Sequence, residues 1–344
     1  MHIWLRDEAR DTERRAPLTP AGAASLIADG AKVTVERSQK RVFPNVEYEA
    51  AGCDLVGSGL WPEAPADALV LGVKELPAMP VLLERRFCHF AHLFKEQQGW
   101  RSVLARYHQG DGTLFDIEYL TGEDGRRVAA FGYWAGWLGA AISLWGWLSD
   151  GKAGPFGGVK ATESREDFLA PIRGLMREVP PKVLIVGALG RSGQGARDLF
   201  ASVGIDPTCW DMAETTNLDR AALLDHDILV SCVLMKGPGL LMVEPGDLND
   251  ARLSMIADVA CDPLSDYNPL PIYDEPTPWN APFIEVATDK WITAIDNLPS
   301  LLPKESSEDF AEQLLPTLLT YPDGIAWQNA KASFDAARKA AGLT

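Results

Sequence analysis

The chain has 344 residues, of which 23% are charged and 47% hydrophobic. At about 150 residues per domain this gives roughly two domains with material for a packed core, and it excludes a peptide hormone, a disulfide-stapled miniprotein, wholesale disorder and a multispan membrane protein. With 32 Lys and Arg against 48 Asp and Glu, the formal net charge is −16, so a nucleic acid would be repelled and any anionic ligand needs a local cationic pocket.

The five cysteines are odd in number and widely spaced, with no C-x-x-C, which favours a reducing compartment over a disulfide framework. The charged start MHIWLRDEARDTERR has no apolar signal region, and the cytoplasm is the expected location.

Up to Leu120 the chain alternates strand and helix patterns. His2 to Arg6 is predicted as a strand, Pro20 to Asp29 as a helix closed by Gly30, and AKVTVER as a strand. NVEYEAAG follows as a short helix, DALVLGVKE as a buried strand, HFAHLF as another, QGWRSVLARYHQG as a helix and GTLFDIEYL as a strand. This alternation implies a parallel sheet with helices on its faces. Val128 to Leu148 is then 21 residues without a charge, taken alone a transmembrane candidate. It is a solitary run, and Gly132, Gly136, Gly139 and Gly146 suit close packing on another backbone, so a buried helix is the reading adopted.

KAGPFGGVKAT, Lys152 to Thr162, reads as an exposed glycine-rich linker. Lys160 follows Val159 rather than Gly, so the phosphate-loop pattern fails. A second strand–helix series begins at Lys182 with KVLIVGA as a strand, RSGQGARDLFASVG as a helix and DPTCWD as a strand. Further strands fall in DHDILVSCVL, LSMIADVAC, FIEVAT and WITAID. PKESSEDFAEQLLPTLLTY opens a helix with Ser306 and Asp309 at capping-box spacing, and an alanine-rich helix ends the chain.

The turn from Gly187 to Gly195 carries Gly187, Gly190 and Gly193 between a strand and a helix. Glycines let backbone N–H groups approach a pyrophosphate, and the helix N-terminus adds partial positive charge. The G-x-x-G-x-x-G spacing is one residue longer than the usual fingerprint, and the motif gains weight from Asp211 at the end of the next strand. There a carboxylate would bond an adenine-ribose hydroxyl and repel a 2′-phosphate, pointing to NAD over NADP. Arg191 either lies on the pyrophosphate or is a solvated loop residue. Ser192 completes no nucleophile elbow, because Gln194 stands where the last glycine is needed.

In the first half, Lys74 and Glu75 end an apolar strand, His92 and Lys95 follow the next, Glu118 closes TLFDIE and Arg127 precedes the apolar run. Charged and titratable groups at successive strand ends mark the ligand side of an open α/β sheet, although a lone strand-end lysine can equally reach solvent. His89 and His92 would face opposite sides of a strand, a poor metal pair, and no metal site is expected.

With these residues together, RRAPLTP, LGVKELP, FAHLFKEQQGW, GTLFDIEYL, GRRVAAFG, GALGRSGQGA and IDNLPSLLPKESS, in this order, resemble saccharopine dehydrogenase of the NAD-dependent, lysine-forming type. That family is related in fold to alanine dehydrogenase and the NAD-binding component of transhydrogenase. The resemblance implies an α/β architecture of two Rossmann-like doubly wound domains with parallel sheets and a cleft between them. A substrate domain of 1–127 plus about 305–344 would be interrupted by an NAD-binding domain of 128–304.

It further implies conversion of saccharopine to lysine and 2-oxoglutarate, or the reverse, with hydride leaving the glutamyl α-carbon and water opening the resulting imine. Lys74 and His92 match the family's acid–base pair, and Glu75 and Glu118 the carboxylates that modulate it. Arg15, Lys95 and Arg127 would hold the substrate carboxylates, with Arg10 as a further contact. Asp296 matches an acidic residue at the nicotinamide end, or else caps the turn before Pro299. Some members carry Cys where Ser192 stands, so the disulfide they can form with a residue matching Cys232 is lost here, and Cys232 reads as a small core residue. The stretch from Asp274 to Asp296 departs from the family pattern. The expected partners are small molecules, with no nucleic acid or membrane, on a monomer or small homo-oligomer. Another amino-acid or opine dehydrogenase and a catalytically silent NAD-binding module are the alternatives.

Overall fold

The computed structural model describes residues 1–94, 99–152, 157–235, 237 and 239–343. It divides the chain into two compact units, Met1–Ala130 with Pro303–Thr344, and Phe131–Leu302.

The first unit opens with β1 (His2–Leu5), α1 (Pro20–Ala28), β2 (Lys32–Glu36), α2 (Asn45–Ala50), β3 (Asp54–Val56), β4 (Ala68–Leu71), β5 (Arg86–His89), α3 (Trp100–Gln109) and β6 (Thr113–Asp116). The strands form a parallel sheet in the order β3-β2-β1-β4-β5-β6. β1 and β4 are buried along their whole length, as expected of a parallel sheet covered on both faces. Proline at its start and Thr19, whose side chain accepts the Gly22 N–H, fix where α1 begins. At the end of β2 the buried Glu36 carboxylate accepts the Trp4 indole N–H at 3.0 Å and the backbone N–H groups of Asp7 and Gly59, each at 2.9 Å.

The second unit contains α4 (Gly132–Leu148), α5 (Arg165–Arg173), β7 (Val183–Val186), α6 (Arg191–Ser202), β8 (Thr208–Trp210), α7 (Met212–Thr215), α8 (Arg220–Leu224), β9 (Ile228–Ser231), β10 (Met255–Asp258), β11 (Ile284–Ala287) and β12 (Lys290–Thr293). Its sheet runs β11-β12-β10-β9-β7-β8, parallel except for β11 against β12. The long apolar run forms α4, buried in the core of this unit. It crosses α6 so closely that a Cβ on Gly136 would overlap the Ser192 carbonyl, and one on Gly195 the Tyr133 carbonyl. Among the described residues no helix is long and apolar enough to cross a membrane.

α9 (Pro303–Leu319) and α10 (Ile325–Ala340) return to the first unit. Ser307 accepts the Ala16 N–H at 2.9 Å, Phe310 packs on Phe90, and Trp327 meets Phe115 edge-on.

Several expected boundaries move. The helix expected from Val128 starts at Gly132, and the strand expected in HFAHLF lies earlier, at Arg86–His89. The strand expected through GTLFDIEYL stops at Asp116, whose side chain caps a 3-10 turn over Ile117–Tyr119. Ser306 lies buried inside α9, which begins at Pro303, so it is not the N-cap of that helix. α5 was not expected at all.

Candidate active site

In the first unit β1 and β4 are neighbours from which the sheet is built outward in opposite directions, the place where α/β sheets hold ligands at their carboxyl edge. The connection after β1, from Arg6 to Thr19, grips the segment after β4. Arg6 is buried, pairs with Glu8 at 2.9 Å and donates to the Lys74 carbonyl oxygen. The Glu8 carboxylate accepts the N–H groups of Val73 at 2.6 Å and Lys74 at 3.1 Å. Glycine is required at Gly72, because a Cβ there would overlap the Arg6 guanidinium. Burial pushes the Glu8 carboxyl up despite Arg6 and the two N–H donors.

Lys74 itself is only 8% exposed. It lies within electrostatic reach of two carboxylates. Burial would raise Glu13, but the charge and hydrogen bonds of Arg15, joined by the charge of Lys74, hold it below its ordinary value. Burial opposes the same outcome at Glu75, where its own backbone N–H, Arg10 and Lys74 prevail. Arg15 is buried and donates through Nε and Nη2 to Glu13 at 2.8 and 2.6 Å, and Arg10 pairs with Glu75 at 2.6 Å in a more open position.

The ends of β5 and β6 carry the second group. His92 Nδ1 lies 3.9 Å from Glu118 Oε2, and Glu118 Oε1 accepts from Arg127 Nη2, so one carboxylate sits between an imidazole and a guanidinium. Glu118 is 10% exposed and the His92 side chain 54%. His92 adopts φ 54°, a left-handed backbone that costs a residue with a Cβ about 1–3 kcal/mol and persists only where its surroundings enforce it. The Phe90 N–H bonds the Val73 carbonyl at 3.0 Å, the Ala91 N–H bonds Asp116 Oδ2 at 3.3 Å, and the imidazole stacks on the Phe90 ring. His89 is buried against the Tyr107 hydroxyl at 3.0 Å, and burial followed by the Arg6 charge pushes it down to about 3.

His92 follows its strand as expected, whereas Glu118 does not close one. His92 is in a loop beyond β5, and Glu118 is in the 3-10 turn. Lys95 lies outside the described residues.

In the second unit the glycine-rich turn joins β7 to α6. Gly187 has φ 81°, and a Cβ on it would come within 3.0 Å of the Cys232 carbonyl oxygen. A Cβ on Gly193 would overlap the Gly187 carbonyl oxygen, and Gly190 stands at the N-cap of α6. The turn is thus a bare backbone cradle at a helix N-terminus, the donor set a pyrophosphate requires. Arg191 is exposed and Ser192 half-buried on its rim.

Asp211 follows β8. Its Oδ2 accepts the Leu189 N–H at 2.9 Å and its Oδ1 the Met212 N–H at 2.9 Å, while its own N–H bonds Glu214 at 2.8 Å. Asp211 therefore braces the turn, and two carboxylate oxygens retain further acceptor directions. Asp296 is exposed and accepts from Asn297 Nδ2 at 3.2 Å, and Asn297, not Asp296, holds the cap position of the 3-10 turn Leu298–Leu301. Cys232 is a free thiol, pushed well up by burial and by the Asp258 charge. Among the described residues no three His, Cys, Asp or Glu side chains group to hold a metal ion.

The residues that sequence reasoning missed are Arg6, Glu8, Glu13 and Asp116, all buried. Only Asp116 left a signal, an Asp at the position of a turn cap.

Residues 4–138 match the family model described as alanine dehydrogenase/PNT, N-terminal domain. Over 97% of its length the chain is 40% identical to the saccharopine dehydrogenase (NAD+, L-lysine-forming) of Emericella nidulans, covering 96% of that protein. It is 37% identical, over the same shares, to the enzyme of that name from Candida albicans. Among solved structures, an L-alanine dehydrogenase superposes over 100% of both chains with a TM-score of 0.71 at 17% identity. A transhydrogenase from Sinorhizobium meliloti does so over 94% of both with a TM-score of 0.67 at 14% identity, and at such identities the likeness is one of fold.

Proposed function

The chain belongs to the NAD-dependent, L-lysine-forming saccharopine dehydrogenase family, and from that premise we propose that it interconverts saccharopine with L-lysine and 2-oxoglutarate. It is an NAD-dependent oxidoreductase acting on a CH–NH bond. When bound, NAD supplies the acceptor for the hydride of the glutamyl α-carbon. The first unit is the substrate domain and the second the NAD-binding domain, whose cradle from Gly187 to Gly193, with Arg191 and Ser192, takes the pyrophosphate. Asp211 takes the adenine ribose, and Asp296 serves the nicotinamide end.

Lys74 removes the proton from the secondary amine, and His92 moves protons as water adds and lysine leaves. Glu75 and Glu118 tune that pair through charge. Arg15, Lys95 and Arg127 hold the substrate's carboxylates, helped by Arg10. The observation that carries this reading is the gathering of Glu13 after β1 with Lys74 and Glu75 after β4, and of His92, Glu118 and Arg127 after β5 and β6, all on one carboxyl edge of a parallel sheet. The enzyme works in the cytoplasm as a monomer or small homo-oligomer, a reading supported by free cysteines throughout and an acidic composition.

The deciding assay is NADH oxidation with lysine plus 2-oxoglutarate, each omitted in turn. Oxidation requiring both is the expected result. Turnover of a small 2-oxo acid with ammonium instead would mark an alanine-type enzyme, and NADH binding without any turnover a silent module.

Cofactor choice gives a second expectation. Asp211→Asn keeps an acceptor for the Leu189 N–H but removes the charge, so it narrows the preference for NAD over NADP. Asp211→Ala also loses the brace on the turn and weakens NAD binding further, by about 3- to 10-fold for one lost bond. An NAD/NADP ratio unmoved in both variants would remove Asp211 from the ribose.

A further inference from the structure

Asp116 carries no role in the reading above, yet it joins two of its parts. It is wholly buried at the end of β6. Its Oδ1 accepts the Glu118 N–H at 2.9 Å, capping the turn from which the Glu118 side chain reaches out. Its Oδ2 accepts at 3.3 Å the N–H of Ala91, the residue immediately before the left-handed His92. One side chain thus fixes the backbone on both sides of the His92–Glu118 contact. Resting on the assignment of His92 as an acid–base group, we propose that Asp116 is a positioning residue that ties the His92 loop to the Glu118 turn and so holds the imidazole against the Glu118 carboxylate.

The chemistry of the two bonds decides what the side chain must be. Both partners are N–H donors, so both oxygens must accept, which an ionised carboxylate does and an amide does not. An Asn would set its own N–H against one of the two donors. Released from Asp116, the Ala91 peptide no longer enforces the left-handed backbone, and His92 relaxes towards a conformation that carries its ring away from Glu118. Burial, then the charge of Glu118, pushes Asp116 up to about 7 against the pull of the two N–H groups and Arg127. Cys88 on β5, Tyr107 on α3 and Tyr119 also sense its charge.

The test uses the intact enzyme and three variants. Asp116→Asn should lower kcat about 10²-fold, the scale of a misplaced reacting group, with the Kd for NADH unchanged. On a His92→Gln background the same substitution should cost almost nothing further, because Asp116 acts through His92. A purely structural role would instead multiply the two losses, and that result overturns the proposal. Should Asp116→Asn fail to fold, Asp116→Ser takes its place, since Ser can still cap the Glu118 turn but is too short to reach Ala91.

A readout independent of turnover is the imidazole nitrogen NMR signal of His92. Its position and titration midpoint should move in either variant, while those of His2 and His226 stay in place. An unmoved His92 signal sinks the proposal. If the wild-type enzyme turned over no saccharopine, the functional reading would fail, and the NMR signal alone would decide the role of Asp116.

Discussion

Lys74→Met is expected to lower saccharopine turnover by about 10²- to 10⁴-fold, the usual contribution of a general acid–base group, and His92→Gln by a similar factor. Neither should change NADH affinity by more than about twofold, because both residues lie in the first unit and the dinucleotide cradle in the second. The loop around Lys74 should survive the change. Arg6 and Glu8 grip its peptide groups rather than its side chain, so Met at this position leaves the clamp intact. A free lysine, with a pKa near 10.4, is a poor base at neutral pH. Burial at 8% exposure works against the charged form of Lys74 and the neighbouring carboxylates Glu13 and Glu75 work for it. On the assignment of both residues to one proton-transfer sequence, the double variant should lose less than the product of the single losses. Steady-state rates with saccharopine and NAD, beside NADH binding by fluorescence, measure both quantities. Near-normal turnover in both single variants would end the mechanism, whatever became of the fold.

The second large effect is expected at Gly136. An alanine there places its Cβ on the Ser192 carbonyl oxygen, and both α4 and α6 must move apart to admit it. Overpacking of this kind costs roughly 1–3 kcal/mol, occasionally more. The opposing atom is backbone in the first turn of α6, which begins at Arg191, so no side chain can swing aside. The displacement is passed directly to the glycine-rich turn, and on the proposed assignment of that turn to the dinucleotide, NADH affinity should fall together with the thermal midpoint. Gly174→Ala is the control, since its nearest neighbour would be 3.4 Å away and its φ of −67° suits any residue. Unchanged stability and NADH affinity in Gly136→Ala would mean that the helices do not cross this closely.

The alternation of apolar strands and helical segments made both sheets legible, and the glycines after Val186 marked the turn because only backbone contact explains their spacing. What the sequence pattern hid was the point at which a strand yields to a turn. In TLFDIEY the apolar residues continue past Asp116, so periodicity extends the strand to Glu118. The chain bends because the Asp116 side chain captures the Glu118 N–H, a local competition that period counting does not see. At HFAHLF the aromatic residues imitate a strand, but Phe90 and His92 pack on one another in a loop. The helix Arg165–Arg173 was masked by Pro171 and a polar first turn, even though Ser164 caps it. The pairs Arg6–Glu8 and Glu13–Arg15 were beyond reach for another reason. Charged residues crowded near the start of a chain read as solvated surface, and only the surrounding fold shows that they are buried.

Glu36 and Asp211 occupy the same station in the two units, each at the carboxyl end of the strand beside the first of its sheet. Around Asp211 the chain passes from strand to helix in a tight turn, and the carboxylate faces that turn. Around Glu36 the corresponding passage is the long connection from Arg6 to Thr19, and the carboxylate is taken up by Trp4, Asp7 and Gly59. The first unit thus fills with its own polypeptide the station that Asp211 holds in the second. The five parallel strands β2-β1-β4-β5-β6 and β8-β7-β9-β10-β12 follow one order, and the connections after β1 and β7 differ in length. On the assignment of Asp211 to the ribose, the stoichiometry to expect is one dinucleotide per polypeptide.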